Sequence, residues 1–486
     1  MKNHSHLKFL SYAIGLLILP VLLANLYYVD DMGRATIGYT NWGADGRPVA
    51  DLVMKIINFR SHLVDLYPLP LIFGSIILII SLNAYAKVYL PSQKIYAIIP
   101  LTYLLAPSTP EILLYRFDSL TLLISISLPL IAYSYRYQQE YKNILLGIAV
   151  VVGTYSTYQA SVNLFVILAA IELIKSYSDN ESNKLTLLRL ASRTGQFIIA
   201  SLLYLLVVVP KYFSGNHTED HPGLASESII KLIIDNFISY YTFVNNSFMK
   251  GNGTIMVALF LVLTLIAITL ILLSRKTKQW NIYEISLTAI ILITPFAVLI
   301  MSVGSLLILE APVSNFPRIY VGVGGVVLFF NMVIMLALKE KTKLFLIVPL
   351  AAFLYTLIMV SAVTNAIKSQ EYFTSILIQE VKTSAANLVY KHIVTVGSFP
   401  SSEVFANSEK NFPIISAINR YSPGWWWTNK RFEFEGIKRE WLPPTSAAQA
   451  NAINSRCSTA FKAETDHFIL YQINNILVID FTKGCN

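Results

Sequence analysis

The chain has 486 residues, of which 55% are hydrophobic and only 13% charged. That excludes a soluble globule, in which roughly a quarter of residues are charged, and leaves a polytopic membrane protein. The formal charge of +9 does not point to nucleic acid, because the basic residues are spread over the connections between apolar runs.

Taken in chain order, helices are expected near 9–29, 67–86, 95–107, 119–135, 143–158, 159–175, 196–213, 254–274, 281–303, 319–338 and 344–366. The first run, Phe9 to Val29, follows a basic start with Lys2 and Lys8. It is long enough to span and lacks a small-residue cleavage site, so it reads as a retained helix and not a signal peptide. Lys87 and Lys94, Arg136 and Lys142, Lys175 to Arg193, Arg275 to Lys278, and Lys339 to Lys343 mark alternate connections. With the N-terminus inside, these connections and the N-terminal Lys2 and Lys8 together hold 16 of the 37 Lys and Arg, against 9 in the short outer loops. This is the positive-inside pattern, and eleven crossings place the C-terminal tail outside.

The expected organisation is a transmembrane domain, 1–366, with outer loops 29–66, 108–118 and 214–253, followed by a small soluble α/β domain, 367–486. The tail opens with a helix from Ala366 to His392 and ends in a strand hairpin over 467–481 that turns at Asn474 and Asn475. The only two cysteines, Cys457 and Cys485, both lie there. In an exported domain they read as one disulfide, with two free thiols as the alternative.

Two outer segments are amphipathic. In Pro48 to Phe59, residues Val49, Leu52, Val53, Ile56 and Ile57 share one helical face, opposite Asp51, Lys55 and Asn58. Pro48 suits a first turn. Ser228 to Val244 is the second such segment. Both are too short and too charged to span, so they are expected along the outer membrane surface.

Chemistry-bearing residues gather in the outer loops. Asp30 and Asp31 follow the first helix, and the loop "PSTPEILLYRFDS" carries Glu111, Arg116 and Asp118. Carboxylates at a membrane interface need no partner, so the acid pair alone has a bland explanation. Arginines beside the acids suggest more. Arg34, Arg47 and Arg116 offer planar donor forks for phosphate oxygens. A nearby carboxylate could take a proton from a sugar hydroxyl as it attacks, and the arginines would stabilise the departing phosphate. Gly33, Gly38 and Gly46 permit close backbone approach to a ligand, and three glycines favour an irregular loop over a helix across 33–46.

Other residues are weaker candidates. Lys211 is a further phosphate ligand, or a snorkelling lysine. Tyr155, Tyr158 and Gln159 suit a sugar or headgroup contact, or interfacial anchoring. In "SPGWWWTNKRFEFEGI", Trp425, Trp426 and Trp427 offer aromatic faces for an acceptor sugar. On a strand, Trp425 and Trp427 would share one side and Trp426 would enter the core; packing against the membrane is the competing reading. His217 to His221, "HTEDH", lacks a third spaced ligand set, so a solvated loop is preferred over a metal site.

The stretch "DDMGRATIGYTNWGADGRPVADLVM" resembles the opening signature of the serotype-converting O-antigen glucosyltransferases encoded by phages and prophages, and length and layout resemble the type II branch. The resemblance covers the whole chain, but only residues 30–48 are motif-grade. It implies a GT-C-like fold of about 11 helices, and an inverting transfer of glucose from a polyprenyl-phosphate-glucose donor to a sugar of the lipopolysaccharide O-antigen repeat in the periplasm. It assigns the acid pair to Asp30 and Asp31, with Asp30 slightly preferred as base, and continues through Arg34, Trp42, Gly46, Arg47 and Pro48. Glu111 fits the second acid of such enzymes, with Asp118 as alternative. Where relatives often carry an aromatic residue, this chain has Met32.

The implied setting is the bacterial inner membrane, with the N-terminus cytoplasmic, the tail periplasmic, and dependence on a donor synthase and a flippase. No cofactor and no nucleic acid are called for, and the metal requirement is left open. A lipid-linked sugar transporter is the rival class, but internal repeats and mid-membrane polar groups are missing from the sequence. An O-antigen polymerase or acetyltransferase is the other rival; all seven histidines lie outside the expected spans, which disfavours the latter.

Overall fold

The computed structural model describes residues 5–214, 222–225, 229–275, 281–338, 343–419, 426–443 and 446–484. The chain divides into two compact units: Met1–Leu23 with Thr40–Ser361, and Ala24–Tyr39 with Ala362–Asn486.

The first unit is helical. Among the described residues, eight helices, some of which continue beyond this unit, are long and apolar enough to cross a membrane, or nine if a bent pair counts as one span. Each of the eleven segments named above falls on helical structure. Long Leu, Ile, Val and Ala runs take this form in lipid because a helix satisfies its own backbone polar groups. Ser119–Ser134 has only 16 residues, and the expected 95–107 helix is replaced by Lys94–Leu104 and Ser108–Leu114, bent by 86°. Pro107 lies in that bend and Pro110 in the first turn of the helix that follows, and each removes a backbone donor. The expected outer loop 108–118 is therefore a short helix and turn, with every one of its residues buried. The first helix also ends earlier than expected, at Ala24; Asn25 and Val29 take positive φ angles that a continuing helix does not allow.

The connections of this unit sort into two ends. At one, the His6 ring hydrogen-bonds to the Gln93 carbonyl, Arg189 pairs with Glu181, and Glu284 accepts from Tyr177 and Asn183 beside Arg275. At the other, Ser214 N–H donates to the Ala44 carbonyl, Ser305 N–H to Asn163, and Asn236 to the Leu307 and Leu309 carbonyls. The described basic connections, at Lys87–Lys94, Lys175–Arg193 and Arg275, belong to the first end, as alternation requires.

Both amphipathic segments are helices, Pro48–Asn58 and Ile229–Phe243. The expected helices 344–366 and 366–392 are one continuous helix, Ile347–Ser384, because no breaker stands between Ala366 and Ser384. It ends before His392, which instead opens a strand.

The second unit holds a five-stranded sheet with strands β1 (His392–Val396), β2 (Glu440–Trp441), β3 (Phe461–Glu464), β4 (Ile469–Ile473) and β5 (Ile476–Asp480). Their spatial order is β2-β1-β5-β4-β3. β1 runs parallel to β2 and β5, while β4 is antiparallel to β3 and β5. The β4–β5 hairpin turns at Asn474, in the left-handed region, where the expected turn lay. All five residues of β5 are buried, and its Asp480 accepts from Arg456 at 2.8 Å. Cys457 is disulfide-bonded; Cys485, the only other cysteine in the chain, lies outside the described residues.

One face of the sheet packs on the end of the long helix. Leu377, Ile378 and Val381 meet Ile393, Phe468 and Leu477 in a core that also includes Phe432 and Met32. Beside it, buried Arg431 pairs with Glu435 at 2.8 Å and Glu371 at 3.3 Å. Removing that cation leaves carboxylates without compensation in a low-dielectric site. Arg431→Met is therefore expected to destabilise the protein by about 3 kcal/mol or more, with Arg431→Lys intermediate, measured as a lowered melting temperature in detergent.

Candidate functional site

The start of the signature is built into the second unit. Residues Asp31–Ile37 form a short helix, where the glycine content suggested a loop, and Gly38 closes it in the left-handed conformation, the usual use of glycine at a helix end. Met32 enters the core of the unit. A Cβ on Gly33 would come within 3.2 Å of Trp427 Cζ3 and 3.3 Å of the Tyr39 hydroxyl. Upstream, the Tyr28 hydroxyl donates to the Ile418 carbonyl at 2.9 Å.

The two acids are held differently. Asp31 is fully buried, and one of its oxygens accepts the Tyr28 backbone N–H at 3.0 Å. Asp30 directs a single oxygen, Oδ2, at Arg34, which donates from Nε at 3.1 Å and Nη2 at 3.0 Å. Its other oxygen, Oδ1, is buried and accepts no hydrogen bond among the described residues. A carboxylate held by a cation through one oxygen, with the second left open, is suited to accept a proton.

The tryptophan run is not a strand. Trp426–Phe434 is a helix, so strand alternation does not apply. Trp426 is exposed, not in the core, its ring close to Lys430 Nζ at 5.0 Å. Trp427 lies against Gly33, while Trp425 lies outside the described residues, as does the His217 to His221 segment.

In the first unit the remaining candidates collect at the end joined through Ser214 and Ala44. Trp42 is buried, and its indole N–H donates to Asp118. Arg116 donates to both oxygens of Asp65 at 2.9 Å and lies over the Tyr67 ring at 4.4 Å. Burial pushes the Tyr67 phenol up to about 12, with Arg116 opposing, so the ring stays neutral. Glu111 is fully buried and accepts the Arg318 backbone N–H at 2.6 Å, with the Arg318 guanidinium at 3.6 Å and bonded to Tyr115.

Arg47 differs from these. Its Nε donates to Gln159 Oε1 at 3.0 Å, and its guanidinium lies over the Tyr158 ring at 4.9 Å. No carboxylate pairs with it among the described residues. Gln159 is fixed in turn, donating to the Asp45 carbonyl and to the Tyr204 hydroxyl. The Tyr204 hydroxyl donates to the Gly46 carbonyl at 3.0 Å, and its ring stacks on Tyr155 at 4.7 Å. Gly46 has φ +75°, and a Cβ there would meet the Tyr204 oxygen at 2.6 Å. Lys211 is exposed, its ammonium 5.4 Å from the Tyr212 ring.

Sequence reading named Arg47, Tyr158 and Gln159 as separate candidates; the structure joins them in one cluster with Tyr204, and adds the partners Asp65 and Arg318, which the sequence reading missed. Tyr204 is a polar interruption of an apolar run, and that signal was present.

This is a membrane protein with its candidate polar chemistry at one end of a helical bundle and on a helix of a separate sheet-containing unit. Residues 19–329 match the family model described as glucosyl transferase GtrII. The chain belongs to that glucosyltransferase family. It is also similar to an uncharacterized 55.3 kDa protein in the gtrB 5′ region of Salmonella phage P22, at 25% identity over 426 residues, covering 86% of this chain and 87% of the relative. No solved structure matches the chain.

Tyr204→Phe removes the hydroxyl that bonds both Gly46 and Gln159, and each lost bond is worth about 1 kcal/mol. Gly46→Ala adds a Cβ where both space and φ forbid it. Transfer activity in membranes is expected to fall in both variants, more steeply in Gly46→Ala.

Proposed function

We propose that the protein is an inverting glucosyltransferase of the bacterial inner membrane, moving glucose from a polyprenyl-phosphate-glucose donor to a sugar of the lipopolysaccharide O-antigen repeat, as in serotype conversion. Family membership supports the transfer of glucose. The observation that carries the mechanism is the open, buried Oδ1 of Asp30 beside an oxygen already held by Arg34.

In this reading Asp30 takes the proton of the acceptor hydroxyl as its oxygen attacks the anomeric carbon. The bond from that carbon to the donor phosphate breaks in the same displacement, and the lipid phosphate leaves as an anion. One in-line displacement inverts configuration, so a β-linked donor gives an α-glucosyl product with no covalent intermediate. Asp31, buried and bonded to the backbone, positions the turn that presents Asp30. Arg47 is the candidate phosphate ligand of the first unit: no carboxylate pairs with it among the described residues, and its plane is set by Tyr158 and Gln159. Arg34 and Arg116, which pair with Asp30 and Asp65, act by orienting carboxylates, and Lys211 is an outer phosphate contact. Glu111 acts through Arg318. Trp426 and Trp427 remain the acceptor-side candidates, on the exported domain.

The reading further places the N-terminus in the cytoplasm and the sheet-containing unit in the periplasm, consistent with the basic connections at one end of the bundle. A donor synthase and a flippase supply the substrate, and the displacement calls for no organic cofactor.

The test is NMR of the O-antigen from a host expressing the intact protein, with donor supply verified. A new glucosyl branch is expected, reduced at least about 100-fold by Asp30→Asn at matched membrane abundance and less by Asp31→Asn. Branching that survives Asp30→Asn removes Asp30 as the base.

A further inference from the structure

The helices Pro48–Asn58 and Ile229–Phe243 are amphipathic in the sense opposite to that of a helix on a water-soluble surface. In the first, Ala50 and Met54 are buried, while Leu52, Ile56 and Phe59 are each more than half exposed. Leu52 stands two residues from Ala50, about 200° around the helix, so the apolar row points away from the protein. In the second helix the buried residues are Asn236 and Tyr240, both polar. Asn236 is anchored on the Leu307 and Leu309 carbonyls, and Tyr240 stands edge-on to Tyr320. Ile230, Ile234 and Ile238 form the outward row, again each more than half exposed. Helices facing water show the reverse arrangement.

We infer that these two helices lie in the interfacial layer of the lipid bilayer, with Leu52, Ile56 and Phe59 and with Ile230, Ile234 and Ile238 inserted among lipid chains. Three features of the first unit commit the occupant to lipid. The helices, of 11 and 15 residues, are too short to span, and each carries charge, Asp51 with Lys55 and Lys231 with Asp235, as interfacial helices do. Both belong to the same end of the bundle, since Ser214, preceding the second, donates to Ala44, preceding the first. Their apolar rows also extend the exposed apolar surface of the spans, such as Leu69, Phe73, Ile76 and Ile80 on the helix that follows.

Seating the first helix has a consequence for the neighbouring residue. Arg47 is its N-cap, so a helix lying in the interface sets Arg47 at the depth of lipid phosphates. That consequence rests on the reading of Arg47 as a phosphate ligand; the seating itself does not.

The experiment places a bimane label on Ile56→Cys or Ile234→Cys in the full chain. Cys457 is disulfide-bonded and the described residues hold no free cysteine. The protein is reconstituted in phosphatidylcholine and phosphatidylglycerol vesicles, with an exposed tail site, Glu464→Cys, as aqueous reference. Both interfacial labels are expected to be quenched severalfold more by lipids carrying a nitroxide near the headgroup than by iodide, and the reference label the reverse. Iodide quenching equal to the reference would put these rows in water and overturn the inference. Protection from both quenchers would indicate a protein partner and overturn it equally. The measurement needs no turnover, so its failure leaves the role of Asp30 standing, and loss of branching in Asp30→Asn says nothing of the seating.

Discussion

The structure turns on the packing of one two-turn helix, Asp31–Ile37, against the C-terminal half of the chain. Met32 enters the core formed by the long helix and the sheet, and Gly33 leaves room for Trp427. A helix of seven residues has no stability of its own, because nucleation costs more than so few hydrogen bonds return. Its order must come from what it packs on. The acid pair at its start is therefore held by residues of the same unit that lie more than three hundred positions later in the sequence.

Charge pairing distinguishes the arginines of the first unit from one another. A cation buried at the end of a membrane bundle is costly unless compensated. Arg116 has Asp65, and Arg318 has Glu111. Among the described residues, Arg47 meets an aromatic face and an amide and no carboxylate. These fix its plane without cancelling its charge. The Tyr204 hydroxyl and the left-handed Gly46 bring the backbone close enough for this cluster to form.

Much of this was legible in the sequence, and the limits have physical causes. Apolar runs of about twenty residues identify helices because lipid admits little else. The hairpin at Asn474 and the amphipathic row at Leu52 and Ile56 were readable for similar reasons of period and turn chemistry. The bend between Leu104 and Ser108 was hidden because its prolines were taken as the end of a helix and not as a break within a buried segment. The Asp31–Ile37 helix was missed because glycine lowers local helix preference, and only tertiary packing shows why Gly33 is needed. The tryptophan run was misread because three adjacent aromatic residues carry no period. Pairs such as Arg116 with Asp65 and Arg47 with Gln159 are fixed by folding alone, being 51 and 112 residues apart.

Hydrogen–deuterium exchange on the reconstituted protein and its Trp427→Ala variant most directly tests whether the signature helix depends on the C-terminal unit. The amides of Arg34 and Gly38, bonded to the Asp30 and Arg34 carbonyls, should be protected in the parent chain and lose that protection in the variant, while the amides of Leu69–Tyr89 remain unchanged. Equal protection of the signature amides in both proteins would show that the helix is held by something else, and would contradict the account.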